Sequence, residues 1–178
     1  MKVSFCITCY DKDIHLLQDR LIDVMKNQTV QPDEILVFAS GMPDGSVGCS
    51  DSNIKIYTLT KRVLPAVARN LGAKYATGDI VCFCDVDDPI HPQKCEIIKD
   101  IFLNDKIDAL VHSHLDNSNN FTKVQKEQMS DGLEQITEFS GVSSVKTPSE
   151  SKIAHGPISA RREVFNDLKY EYYIETDG

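Results

Sequence analysis

Apolar residues along this chain alternate between two periods. Val3 to Ile7 form a short apolar run of strand length, after which Ile14, Leu17, Leu21, Val24 and Met25 fall at helical spacing. Gln31-Pro32-Asp33 breaks that helix, Glu34 to Ala39 reads as a second buried strand, and Ser40 to Gly45 reads as a loop by its Gly, Pro and Asp content. Asn53 to Tyr57 is a third short strand. Pro65 suits a first helical turn and opens a helix whose apolar face is Val67, Ala68, Leu71 and Tyr75, with Gly78 near its end. Ile80 to Cys84 is the strongest strand; beyond it, Cys95, Ile98, Ile101 and Phe102 mark another amphipathic helix, and Ile107 to Val111 a fifth strand. Strands alternating with helices of this length predict crossover units and an α/β fold with a mainly parallel central sheet flanked by helices. From Asn117 to Pro148 the chain turns polar around one weak helical pattern, Gly132 to Phe139, and reads as a surface excursion or lid.

Composition narrows the picture. The 178 residues hold 41% hydrophobic and 26% charged side chains, enough apolar material for a single domain with a real core. Nineteen Lys and Arg against 27 Asp and Glu give a formal charge of −8, and the basic residues are scattered, which argues against a nucleic-acid binder. No apolar run approaches the length of a membrane span, and Met1 to Phe5 leads straight into Cys6-Ile7-Thr8-Cys9 without a signal-peptide core, so the expectation is a cytoplasmic protein. The six cysteines are then expected as free thiols. Cys6 and Cys9 form a C-x-x-C, but no second such pair or histidine pair at finger spacing accompanies it, and buried strand cysteines are the reading.

The sharpest chemical feature is Asp85, Asp87 and Asp88, directly after the most apolar strand. If strand alternation continues, Asp85 and Asp87 converge on one side. Carboxylates so crowded repel one another, by roughly 4 kcal/mol for a pair about 4 Å apart at an effective dielectric near 20, and a cation among them relieves that. Carboxylate oxygens favour Mg²⁺ or Mn²⁺, held by one or two protein carboxylates together with substrate phosphates. The plainer alternative is an acidic cap on the following helix. Ligands in open α/β sheets bind beyond the carboxyl ends of the strands, and Thr8 to Asp11, Ser40-Gly41 and Asp85 to Asp88 all lie at such ends. The first strand-to-helix turn has no glycine, so neither a dinucleotide fingerprint nor a phosphate loop is present, and Asp11 and Asp13 there would repel phosphate. The first loop is therefore expected to meet a nucleoside, and a metal on the fourth strand to hold the phosphates.

In order and spacing, Val3 to Tyr10, Gln28-Thr29 with Asp33 to Val37, Ala68-Arg69-Asn70-Leu71-Gly72, Ala76 to Ile80 and Asp85-Val86-Asp87-Asp88 resemble the successive blocks of a family 2 glycosyltransferase with the A-type fold, across residues 2–102. The resemblance implies sugar transfer from a nucleotide-sugar donor, a UDP- or GDP-sugar, to a saccharide, lipid or protein acceptor, with inversion and a divalent metal. Carried over, Asp87 would ligate the metal, with Asp88 as helper, and Asp85 would bind ribose or sugar hydroxyls. Thr8, Tyr10, Asp11 and Ser40 would line the nucleoside side, and Arg69 would lie near the diphosphate or donor sugar. It also divides the expected single domain, residues 1–178, into a donor-binding half, 1–102, and an acceptor-side half, 103–178.

Two departures matter. The family places an acidic pair after its second strand, whereas Val37 to Gly41 holds no carboxylate. The family's general base comes late in the domain, after a block that Gly156 to Phe165 resembles; here Asp177 or Glu175 is that base, or the sequence stops short of it. His155 is a candidate third metal ligand; His112 and His114 have ligand-compatible spacing on the fifth strand, or are polar residues facing the acceptor. A haloacid-dehalogenase-type phosphatase also uses Asp-x-Asp after a buried strand, but wants Thr or Val where Pro89 stands and places the motif on its first strand. The remaining alternative is a nucleotide-sugar-binding domain without turnover, either a degenerate homologue or one part of a larger transferase.

Overall fold

The computed structural model describes residues 1–88, 90–112, 133–136, 158–167 and 169. Strand β1 (Val3–Tyr10) is followed by a single 3₁₀ turn (Asp11–Asp13), α1 (Ile14–Met25), β2 (Glu34–Ser40), β3 (Ile54–Leu59), α2 (Pro65–Tyr75), β4 (Ile80–Asp85), α3 (Lys94–Asn104) and β5 (Ala109–His112). Then come β6 (Leu133–Ile136), β7 (Ile158–Arg161) and the short α4 (Val164–Asp167). The described strands form one sheet in the order β3-β2-β1-β4-β7-β5-β6. Strands β3, β2, β1 and β4 are mutually parallel, while β7 pairs antiparallel with β4 and β5, and β5 antiparallel with β6.

Parallel strands covered on both faces read as continuous apolar runs, and β1 and β2 do so: every residue from Val3 to Cys9 and from Glu34 to Ser40 is buried. One face of the sheet packs Phe5, Ile7, Val37 and Ile80 against α1 and α3 residues such as Leu17, Val24, Ile98 and Phe102. The other packs Cys6, Leu36, Phe38 and Phe83 against Ala68 and Ala73 of α2. Each fully buried Phe among these contributes about 1.5–3 kcal/mol. Cys6 and Cys9 therefore face opposite sides, as an odd separation along a strand requires, and do not converge on a metal. All six cysteines are free, and Cys49 alone among them is exposed.

The chain runs outward from β1 to β3 and returns by α2 to the far side of β1 as β4, so the strand order reverses between β1 and β4. That reversal opens a crevice at the carboxyl ends of those strands. Within the predicted helical stretch, the described residues Leu133–Ile136 form a strand instead, registered from Ala109↔Ile136 to His112↔Leu133. Completing the hydrogen bonds of β5 outweighs a faint 3.6-residue period. Ile158–Arg161, not marked by periodicity, is a strand inserted between β4 and β5. No helix among the described residues is long and apolar enough to cross a membrane.

The opposite end of the sheet is fastened by Glu34. Its carboxylate accepts the Ser4 hydroxyl at 2.8 Å, the Thr77 N–H at 2.9 Å and the Lys55 ammonium at 2.9 Å. Burial alone would raise the Glu34 pKa, but these three donors outweigh it and hold the carboxyl below its ordinary 4.5. A lowered folded-state pKa gives stability that is present above the unfolded-state value and lost as pH falls through the folded one. Glu34→Gln should therefore lose stability at neutral pH and show a flatter acid limb in urea unfolding; an acid limb as steep as wild type would contradict this.

Candidate functional site

Thr8 and Asp85 are registered neighbours across β1 and β4 at the mouth of the crevice. Both project to the α2 side, where Thr8 Oγ1 donates to Asp85 Oδ1 at 2.6 Å. Arg69 of α2 is 6% exposed, and its Nη2 donates to both Asp85 oxygens at 2.8 and 2.7 Å. Helix α2 comes close enough for this because Gly72 lies over β1: a Cβ there would stand 3.1 Å from Cys6 Cβ. Arg69, one turn before Gly72 and on the same face, is thereby delivered to Asp85.

Strand β4 ends at Asp85, so strand alternation does not govern Asp87. The chain instead folds into a tight turn, with the Asp88 N–H on the Asp85 carbonyl at 3.1 Å. Val86 points into the core at 2% exposure, and its N–H reaches the Thr8 carbonyl at 3.1 Å. Asp87 is exposed and Asp88 half-buried. Asp87 is within electrostatic reach of Cys9, near the carboxyl end of β1. Burial first, then the carboxylates of Asp13, Asp11 and Asp87, push the Cys9 thiol up to about 12.

The β1, β2 and β3 ends form the other wall. Tyr10 is registered with Ser40, and Ser40 with Leu59. Ser40 is 1% exposed and so contributes to the wall rather than offering an open hydroxyl. Gly41 turns the chain at φ +79°, and a Cβ on it would lie 3.2 Å from Asp11 Cγ, so only glycine leaves Asp11 room there. Arg62, just beyond β3, places its guanidinium carbon 5.0 Å from the Tyr10 ring centroid, with Nη2 3.8 Å from Asp11 Oδ1. Partial burial raises the Tyr10 pKa while Arg62 and Arg69 pull it down. Asp44, the first carboxylate after β2, accepts the Thr58 hydroxyl at 2.9 Å over the edge strand.

The sequence profile of glycosyl transferase family 2 matches residues 4–169. The chain belongs to this family. Among curated relatives it is 30% identical over 100 residues to an uncharacterized glycosyltransferase of Haemophilus influenzae, covering 53% of this chain and 39% of that one. It is 31% identical over 115 residues to the uncharacterized glycosyltransferase YibD of Escherichia coli, covering 61% and 32%. The chain thus spans about a third of the length of these family members. Of solved structures, the mannosyltransferase PcManGT of Pyrobaculum calidifontis, in complex with GDP-Man and Mn²⁺, aligns with TM-score 0.50 and 24% identity over 63% of this chain and 35% of that one. TarS 1-349 of S. aureus, in complex with UDP, aligns with TM-score 0.52 and 21% identity over 69% and 38%. The fold is the A-type glycosyltransferase fold.

Contacts and register bring Thr8, Tyr10, Asp11, Arg69 and Asp85 together at the β1 and β4 ends, Asp87 and Asp88 follow in the turn after β4, and Asp177, Glu175, His155 and His114 lie outside the described residues. Sequence reasoning passed over Arg62, although Lys61-Arg62 follows a parallel strand whose end points to the same sheet edge. It also passed over Arg20, which sits on the apolar stripe of α1 between Leu17 and Val24 and is 8% exposed. Among the described residues no three His, Cys, Asp or Glu side chains gather to hold a cation by themselves. Asp85 is bound by Arg69 and Thr8, while the Asp87 side chain is exposed. One or two carboxylates completed by phosphate oxygens is a set that suits Mg²⁺ or Mn²⁺.

Proposed function

We propose that this chain is a metal-dependent, inverting glycosyltransferase domain that moves a sugar from a UDP- or GDP-sugar to an acceptor hydroxyl. The observation that carries the reading is the Thr8–Asp85–Arg69 cluster at the β1/β4 strand-order reversal, with the exposed Asp87 beside it. Family membership supports it, as do the GDP-Man and Mn²⁺ of PcManGT and the UDP of TarS.

Tyr10 offers its ring, and Asp11 and Arg62 an acceptor beside a donor, to the nucleoside. The open part of the Asp85 carboxylate accepts hydroxyl groups of ribose or sugar while Arg69 and Thr8 fix its orientation. Asp87, helped by Asp88, would hold the ion, which when bound would neutralise charge on the departing nucleoside diphosphate. Asp177 or Glu175 would take the acceptor proton and His155 would join the ion. Residues 1–102 would bind the donor and residues 103–178 face the saccharide, lipid or protein acceptor.

A panel of UDP- and GDP-sugars tests this. Mn²⁺-dependent release of nucleoside diphosphate from one donor is the expected result. Saturable binding without release indicates a binding domain that does not turn over, and inorganic phosphate released from simple phosphomonoesters would overturn the reading in favour of a phosphatase.

A further inference from the structure

We infer that Arg20 of α1, outside the crevice, is a positioning residue that sets the direction of Asp87 by holding the carbonyl of Val86. The inference rests on the glycosyl-transfer reading and adds a residue to it. Asp85 to Asp88 form a four-residue turn closed by the Asp88 N–H on the Asp85 carbonyl at 3.1 Å. The peptide joining its two central residues, Val86 and Asp87, is the one whose rotation interconverts turn types, at little change to the ends of the turn. That rotation swings the Val86 carbonyl and redirects the residue after it.

Other parts of the turn are fastened as well. Thr8 and Arg69 hold the Asp85 carboxylate, the Thr8 carbonyl holds the Val86 N–H, and the core holds the Val86 side chain. The Val86 carbonyl is held by Arg20, whose Nε donates to it at 2.9 Å. Arg20 is 8% exposed, so a charged side chain is kept inside the protein directly beneath the acidic turn. With that bond in place the central peptide has one orientation, and Asp87 is presented to the mouth without reorganising when an ion and diphosphate arrive.

A mere charged neighbour and a positioning residue predict opposite signs. Deleting a nearby positive charge should tighten cation binding. Deleting a group that orients a ligand should weaken it, by roughly 10- to 100-fold for the outer partners of metal sites. The test is calorimetric titration of Mn²⁺ into protein saturated with GDP and, separately, with UDP, for wild type, Arg20→Met and Arg20→Lys, with urea unfolding in parallel. The expected result is Mn²⁺ affinity weakened roughly ten-fold or more in Arg20→Met, with Arg20→Lys, which keeps a donor for the carbonyl, falling between. Unchanged or tighter Mn²⁺ binding by folded Arg20→Met overturns the inference and leaves the functional reading standing. If Arg20→Met does not fold, Arg20→Lys decides: weakened Mn²⁺ binding supports the inference and wild-type affinity overturns it. A wild type that binds Mn²⁺ with neither nucleotide overturns the functional reading, and this inference with it.

Discussion

Asp87→Ala is expected to abolish Mn²⁺-dependent binding of a nucleoside diphosphate while leaving the domain folded. The carboxylate is exposed in a turn whose geometry is set by its neighbours, so its removal breaks no packing. Exposed substitutions of this kind shift stability by about 0.5 kcal/mol or less, and relief of repulsion from Asp85 and Asp88 favours the folded state. The effect on binding is far larger. If the ion's charge stabilisation is several kcal/mol, losing its ligand weakens nucleotide affinity on the order of a hundred-fold. Calorimetry with and without Mn²⁺ reads this directly. An Asp87→Ala protein with wild-type, Mn²⁺-enhanced affinity would remove Asp87 from the site.

Asp85 should behave differently, because in the proposed site it would touch the donor, and it also neutralises a buried guanidinium. Arg69 has 8% of its side chain exposed and stands 2.7 Å from the Asp85 carboxylate. Asp85→Ala strips that charge of its partner, and breaking a buried pair in this way costs about 3–5 kcal/mol. Removing Arg69 as well should recover part of the loss, since replacing both members of such a pair is far less damaging than removing one. The expected order of stability in urea unfolding is wild type, then Asp85→Ala/Arg69→Met, then Asp85→Ala, with donor binding lost in both variants. A double variant no more stable than the single one would show that the pair does not carry the coupling assigned to it.

The parallel half of the fold was legible because each of its elements has its own period. The buried runs at Val3 and Ile80 and the stripe from Ile14 to Met25 match β1, β4 and α1. Of the antiparallel half, β5 showed in the apolar run from Ile107 to Val111, whereas Leu133–Ile136 and Ile158–Arg161 did not, because such short strands show no period of their own and are formed by pairing with distant partners. At the site, the carboxyl-end rule brought Thr8, Tyr10 and Asp85 to one place. The role of Thr8 was not legible: its hydroxyl orients Asp85, a pairing set by sheet register across 77 positions of sequence. Nor was Arg20 legible by charge alone, since an arginine on an apolar stripe is explained only by the carbonyl it reaches.

The most direct measurement is a crystal of the protein soaked with Mn²⁺ and GDP or UDP, with the manganese located by its anomalous scattering. One manganese is expected at the Asp87 carboxylate beside the diphosphate, with the nucleoside lying toward Tyr10, Asp11 and Arg62. A diphosphate bound away from the β1 and β4 ends, or manganese absent from Asp87 with nucleotide in place, would contradict this.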